Sequence, residues 1–386
     1  MSADIAFSRP QIGPEEEQAV LAVLRSGWLT TAGEALAFEQ EFAAVSGASH
    51  SLAVSSATAG LHLALLAAGA GPGTTVITTP FTFVATVEAI CHAGAQPVLV
   101  DIDRRTLNID PDAVAAAFSR HAATVKAIVP VHVAGLPAPM EQIRAVAKAA
   151  GAAVIEDAAH CVPLPADPPA LAGSDAAVFS FYANKNITSG EGGMVITDRD
   201  DLAREVAVRR LHGIDRPVWQ RYQESRSSWS YDVVELGYKY NMPDLAAAIG
   251  RVQLRRATEF HARRRHTVAR YQEAFADLEA LELPAQHPRH AWHVYAVRLQ
   301  PGALTLDREG VVAALAGLGI GTSVHFRSVH LTSYYARRLG LEPADLPIAT
   351  AESGRVVSLP LYPGLSDIDV DRVITAVHEI VSRYRS

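Results

Sequence analysis

Two cysteines, Cys91 and Cys161, are all that 386 residues contain, too few to staple a secreted fold of this size with disulfides. No apolar run reaches the ~18 to 20 residues that a membrane span needs, because His, Gly, Pro or a charge interrupts each one. The opening MSADIAFSRP has neither a basic n-region nor an apolar h-region. These absences give the expectation of a cytoplasmic protein with no membrane partner. Basic charge is also scarce: 34 Lys and Arg against 41 Asp and Glu leave a net charge of −7, and the longest basic block is Arg263-Arg264-Arg265. Nucleic acid is therefore not an expected partner, and the triplet reads as a solvated helix face. The 15 histidines show no HExxH or Cys/His spacing, so no metal is expected. His132 and His212 read as satisfied residues near the core.

Hydrophobic residues make up 49% of the chain and charged residues 19%, which places it among compact globular proteins rather than disordered or repetitive ones. Short β-branched runs recur at 51–54, 75–78, 97–100, 126–131, 152–156, 176–180 and 193–197. Most are separated by stretches of helical spacing, such as 58–68, 111–118 and 140–150. This alternation predicts an α/β fold with a seven-stranded, mostly parallel sheet covered on both faces. The last two runs have no clear helix between them, so one of them is expected to run antiparallel. A long charged helix at about 251–278, a proline-rich break and a final helix near 367–384 suggest a second unit. The reading is a large domain, 1–250, whose N-terminal segment contacts a smaller α+β domain, 251–386. The aperiodic stretch 213–235 reads as a functional or mobile loop.

In such a sheet, ligands collect beyond the carboxyl ends of the strands. Lys185 follows the run at 176–180, Asp157 ends the run at 152–156, and Phe83 follows the run at 75–78. A pyridoxal phosphate site needs a lysine amine for the aldehyde, a carboxylate for the pyridine nitrogen, a flat face against the ring and a phosphate cradle. Residues 55–60 precede a helix, so their N–H groups, the Thr58 hydroxyl and the helix dipole suit a phosphate, and Ser180 adds a hydroxyl. Taken singly, each of these residues has an ordinary structural explanation. Their convergence on one crevice points to the cofactor. Thr30 and Thr31, with small side chains, leave room for a substrate, while His325 and Arg327 suit a hydroxyl or an anionic group on it.

The order of motifs resembles the DegT-type nucleotide-sugar aminotransferases. It is carried by SGWLTTAGE (26–34), VSSATAGLHLAL (54–65), TPFTFVAT (79–86), VIEDAAH (154–160), FSFYANKNITSGEGGMV (179–195), LGYKYNMPDLAAAIG (236–250), HAWHVYAV (290–297), GIGTSVHF (319–326) and SLPLYPG (358–364). The combination of EDAAH with KNITSGEGG is specific. The resemblance implies the type I fold of pyridoxal phosphate-dependent transferases. It further implies that Lys185 joins the cofactor aldehyde, Asp157 pairs with the ring nitrogen, His160 lies near the ring hydroxyl and Phe83 stacks on the ring. Thr58, Ala59 and Ser180 are then expected to hold the phosphate. Homodimers with shared active sites are implied too, with Lys239 reaching the partner's phosphate at a position where many relatives carry Asn.

Among branches, the sequence most resembles the enzymes that make UDP-4-amino-4-deoxy-L-arabinose by amino transfer. The expected reaction moves an amino group from an L-amino acid, glutamate first, to a keto group, at C4, of a nucleotide-linked pentose or deoxyhexose. The product would be an amino sugar for a natural product or envelope glycan. The alternatives are lyase or dehydratase chemistry on the same cofactor, and a non-catalytic binding relative. The family's sugar 3-dehydratases carry histidine in place of the lysine, and Lys185 speaks against that chemistry.

Overall fold

The structure, a computed structural model, describes residues 4–164, 173–215 and 231–386. The seven expected strands form as β1 (His50–Val54), β2 (Thr75–Thr78), β3 (Gln96–Leu99), β4 (Val125–Val129), β5 (Ala153–Asp157), β6 (Ala176–Ser180) and β7 (Gly193–Thr197). They make one sheet in the order β1-β7-β6-β5-β4-β2-β3. Strands β3, β2, β4, β5 and β6 pair in parallel, whereas β7 runs antiparallel to both β6 and β1. The reversal follows from the link between β6 and β7, which holds turns rather than the crossover helix that a parallel pair requires.

Alternate residues of each strand feed two cores. Val178 of β6 and Val195 of β7 pack with Leu61 and Leu65 of the helix Ala57–Ala67. Phe179, Met194 and Ile196 face the other way, onto Phe38 and Phe42 of the helix Gly33–Ser46. Burial on both faces is why these strands read as apolar runs instead of alternating ones. At Gly60 the helix lies so close to the sheet that a Cβ would come within 2.7 Å of Val178 Cγ1.

The long helix spans Asp244–Phe275, beginning seven residues before its expected start. Its first residue explains the shift. The buried Asp244 carboxylate accepts the N–H groups of Ala32 at 2.7 Å, Ala35 at 3.1 Å and Glu34 at 3.2 Å, capping the helix Gly33–Ser46 from across the fold. Farther along, Leu254, Ala257 and Phe260 belong to the core beneath the large sheet. Val268, Tyr271 and Phe275 instead pack on a three-stranded antiparallel sheet, β8 (Leu281–Glu282), β9 (Tyr295–Leu299) and β10 (Val356–Leu359). The helices Arg308–Gly317 and Asp367–Arg383 cover that sheet, and Ile5 joins its core by pairing with Ile320.

The arginine triplet departs from its expected role as a solvated face. Arg263 and Arg265 are exposed, but Arg264 is buried between the two cores and donates to the carbonyls of Trp292, His293 and Leu361. Of the stretch 213–235, residues 216–230 lie outside the described residues. Among the described residues no helix is long and apolar enough to cross a membrane.

Candidate active site

A cavity of about 490 Å³ opens beyond the carboxyl ends of β5 and β6, and its lining includes Thr58, Phe83, Asp157, His160, Ser180, Lys185 and His325. Lys185 sits in a compact turn after β6. There its N–H reaches the Tyr182 carbonyl at 2.9 Å, and the Thr188 hydroxyl and the Ser189 N–H both donate to the Phe181 carbonyl at 3.0 Å. Removal from bulk water lowers the Lys185 ammonium to about 8, outweighing the opposite pull of Asp157 and Cys161.

Asp157 closes β5 with its carboxylate buried and doubly held: Thr86 donates to Oδ2 at 2.7 Å and the Ala159 N–H to Oδ1 at 3.1 Å. The Thr86 hydroxyl is itself within 2.8 Å of the Thr82 hydroxyl. Phe81 is fully buried while Phe83, two residues on, is 63% exposed with its ring at the cavity. A core phenylalanine is not left that open.

Ser56 caps the helix Ala57–Ala67, its Oγ accepting the Ala59 N–H at 3.1 Å. The N–H groups of Ala57 and Thr58 lie in the first turn, where the helix offers no acceptor, so this end of the cavity suits an anion. Gly193 permits the arrangement, since a Cβ there would stand 2.7 Å from the Ala57 nitrogen.

Two histidines, His160 and His325, line the cavity, and a third, His293, is buried behind them. The His160 ring lies 5.5 Å from Phe326, nearly parallel to it, and 4.4 Å from His293. Burial, with Lys185 as the next cause, drives His160 well below the usual histidine range. His325 is lowered to about 4 for the same two reasons and shares a 2.9 Å hydrogen bond with Ser358. These imidazoles are neutral near pH 7.

Several expected residues are placed elsewhere. Ala59 is buried and its N–H is taken by Ser56, so helix capping, rather than a phosphate, uses that donor. Thr31 donates to the Met242 carbonyl at 2.6 Å and accepts from Asn241 at 2.5 Å, and Thr30 is exposed; neither lines the cavity, because this turn serves the capping by Asp244. Arg327 is exposed and donates to the Leu331 carbonyl at 2.9 Å, outside the cavity. Lys239 is exposed, bonds Asn241 and does not line the cavity of its own chain. Sequence reasoning missed Thr86, Tyr182, Asn184 and Glu191, which do line it. Thr86 was findable, for it lies one helical turn after Phe83 and so on the same side as that ring.

The residues present fit pyridoxal phosphate. A half-buried lysine, a fixed carboxylate, an exposed ring and a helix N-terminus share one cavity, and two lining atoms, His160 Nδ1 and Asn184 Oδ1, are buried without a partner. This fold and site define a pyridoxal phosphate-dependent transferase of type I. The family model for the DegT/DnrJ/EryC1/StrS aminotransferase family matches residues 10–378, and the chain belongs to that family. It is an enzyme, an aminotransferase whose cofactor is pyridoxal phosphate. It is 47% identical over 382 residues to the spore coat polysaccharide biosynthesis protein SpsC of Bacillus subtilis, covering 98% of this chain and 97% of that protein. Among solved structures, Spr1654 of Streptococcus pneumoniae in its PLP form superposes with a TM-score of 0.88 at 29% identity, covering 98% and 99% of the two chains. The sugar aminotransferase CalS13 of Micromonospora echinospora gives 0.82 at 30% identity, covering 97% and 99%. None of these three is named as an aminoarabinose enzyme, so they lend that branch no support.

Proposed function

We propose that the enzyme transfers an amino group from L-glutamate to a keto carbon, C4, of a nucleotide-linked pentose or deoxyhexose, for polysaccharide biosynthesis. The observation that carries the reading is the convergence of Lys185 and Asp157 on a cavity large enough for a sugar beside the cofactor. SpsC and CalS13, as named, support a sugar as acceptor and a polysaccharide as destination. The choice of C4, of a pentose over a hexose and of a nucleotide carrier rests on the aminoarabinose-like motifs alone.

When bound, the cofactor supplies an aldehyde for the donor's amine and a ring that accepts the electron pair of the broken C–H bond. Lys185 would hold that aldehyde, and its amine, neutral when free, would move the proton at the donor carbon. The Asp157 carboxylate keeps a proton on the ring nitrogen, and Thr86 and the Ala159 N–H fix its orientation. Phe83 would hold the ring by its flat face, and His160, neutral, would hold its hydroxyl. Thr58 and Ser180 hold the phosphate at the helix N-terminus. His325, aimed at the cavity from its bond to Ser358, contacts the sugar.

The enzyme is a homodimer in this reading. Lys239 reaches the partner's phosphate, and the exposed Val233, Val234 and Leu236 beside it support a covering subunit. To test the acceptor, the pyridoxamine form is mixed with 4-keto-pentose, 4-keto-6-deoxyhexose and 3-keto-6-deoxyhexose nucleotides in single turnovers. The 4-keto sugars are expected to react fastest, and faster conversion of the 3-keto sugar would overturn C4.

A further inference from the structure

His293 plays no part in the mechanism above, yet it is buried against His160, which does, and against the neighbour of Lys185. Its ring centroid lies 4.4 Å from that of His160, at an interplanar angle of 33°. Its Nδ1 is 3.1 Å from Asn186 Oδ1, and Asn186 adjoins Lys185 in the chain. The direction of that bond follows from the other arm of the amide. Asn186 Nδ2 donates to the Ala291 carbonyl at 2.7 Å, so Oδ1 is left as an acceptor and the His293 proton resides on Nδ1. The backbone is pinned as well: the His293 N–H donates to the Ala134 carbonyl at 2.9 Å, and its own carbonyl accepts from the buried Arg264 at 3.0 Å. Asn186 therefore holds the ring, while Ala134 and Arg264 hold the backbone that carries it.

We propose that His293 is a positioning residue, locked in one tautomer by Asn186, that fixes the plane of His160 against the cofactor and ties it to the turn carrying Lys185. Around it stand His160, Lys185, Arg264 and His325; burial is the first cause that keeps its imidazole well below the usual range, and these neighbours push the same way. A neutral ring packs at a tilt against His160 without placing a second cation beside Lys185. His160 itself is flanked by His293 and by Phe326, so loss of His293 removes one of its two close supports. This inference rests on the reading that His160 meets the cofactor ring.

The test compares His293→Leu and His293→Phe with the parent holoenzyme. In His293→Leu the cofactor still binds and is fixed by borohydride, but its visible band and the pH midpoint of that band move. The kcat falls by about tenfold, the order seen when a contact supporting a reactive group is lost, while KM for the amino donor stays nearly constant. His293→Phe, which restores a flat ring beside His160, recovers the band position. An unchanged band and pH midpoint in His293→Leu would overturn the inference whatever happens to stability, because a purely structural role lowers stability without altering the cofactor's spectrum. Failure of the underlying reading looks different: His160→Phe would then leave the parent's band unmoved.

Discussion

A lysine amine attacks a carbonyl only when unprotonated, and an ordinary lysine holds almost none of that form near pH 7. With its ammonium lowered to about 8, Lys185 is neutral in roughly a tenth of molecules at pH 7. The sign is fixed by burial: the depressed value frees the amine as pH rises through about 8. The rate of cofactor uptake by cofactor-free protein should climb about tenfold per unit up to that point and then level off. A flat profile between pH 6 and 8 in stopped-flow absorbance would show that the Lys185 amine does not limit the reaction. Asp157→Asn should bind cofactor yet transaminate slowly, and single-turnover rates near the parent's would remove Asp157 from its role. Both residues were legible in the sequence because a strand end dictates where the next side chain goes. Ala59 and Thr31 were not, since their polar groups are claimed by Ser56 and by Met242 and Asn241, and only the folded chain reveals such competition.

Strands and helices that bury both faces announce themselves by apolar runs, which is why β1 to β7 matched their expected positions to within a residue or two. The start of the long helix did not, because Asp244 is chosen for a distant helix end rather than for its own. We propose that the division between the two units falls within the long helix, which gives Phe260 to one core and Val268 to the next. A charged cluster fastens the second unit to the first. Glu352, buried in the helix Pro347–Ser353, accepts from Arg355 at 2.6 Å, from Arg298 at 3.3 Å and from Arg104, just beyond β3, at 3.3 Å. Arg298 is buried too and would keep Glu282 as its remaining carboxylate, so Glu352→Ala should cost about 1.5 to 3 kcal/mol in denaturant unfolding. The exposed pair of Arg383 and Glu379 offers the contrast: Glu379→Ala should change stability by less than about 1 kcal/mol. Equal losses in the two variants would refute the role given to burial.

In the proposed dimer a second copy completes the site, a reading supported by Lys239, which lies outside its own chain's cavity, and by the exposed Val233, Val234 and Leu236. Lys185→Ala and Lys239→Ala homodimers should each be inactive or nearly so. Hybrids of the two regain one intact site, and with hybrid formation verified by mass spectrometry, no regained turnover would argue against sharing. The central claim, amino transfer to a sugar through Lys185, is tested most directly by running the two half-reactions in sequence on one sample. L-Glutamate should bleach the visible band of the holoenzyme, and a 4-keto nucleotide sugar added after removal of glutamate should restore it with one equivalent of amino sugar formed. In Lys185→Ala neither change should occur. A band that glutamate and other L-amino acids fail to bleach, or that no keto sugar restores, would contradict the account.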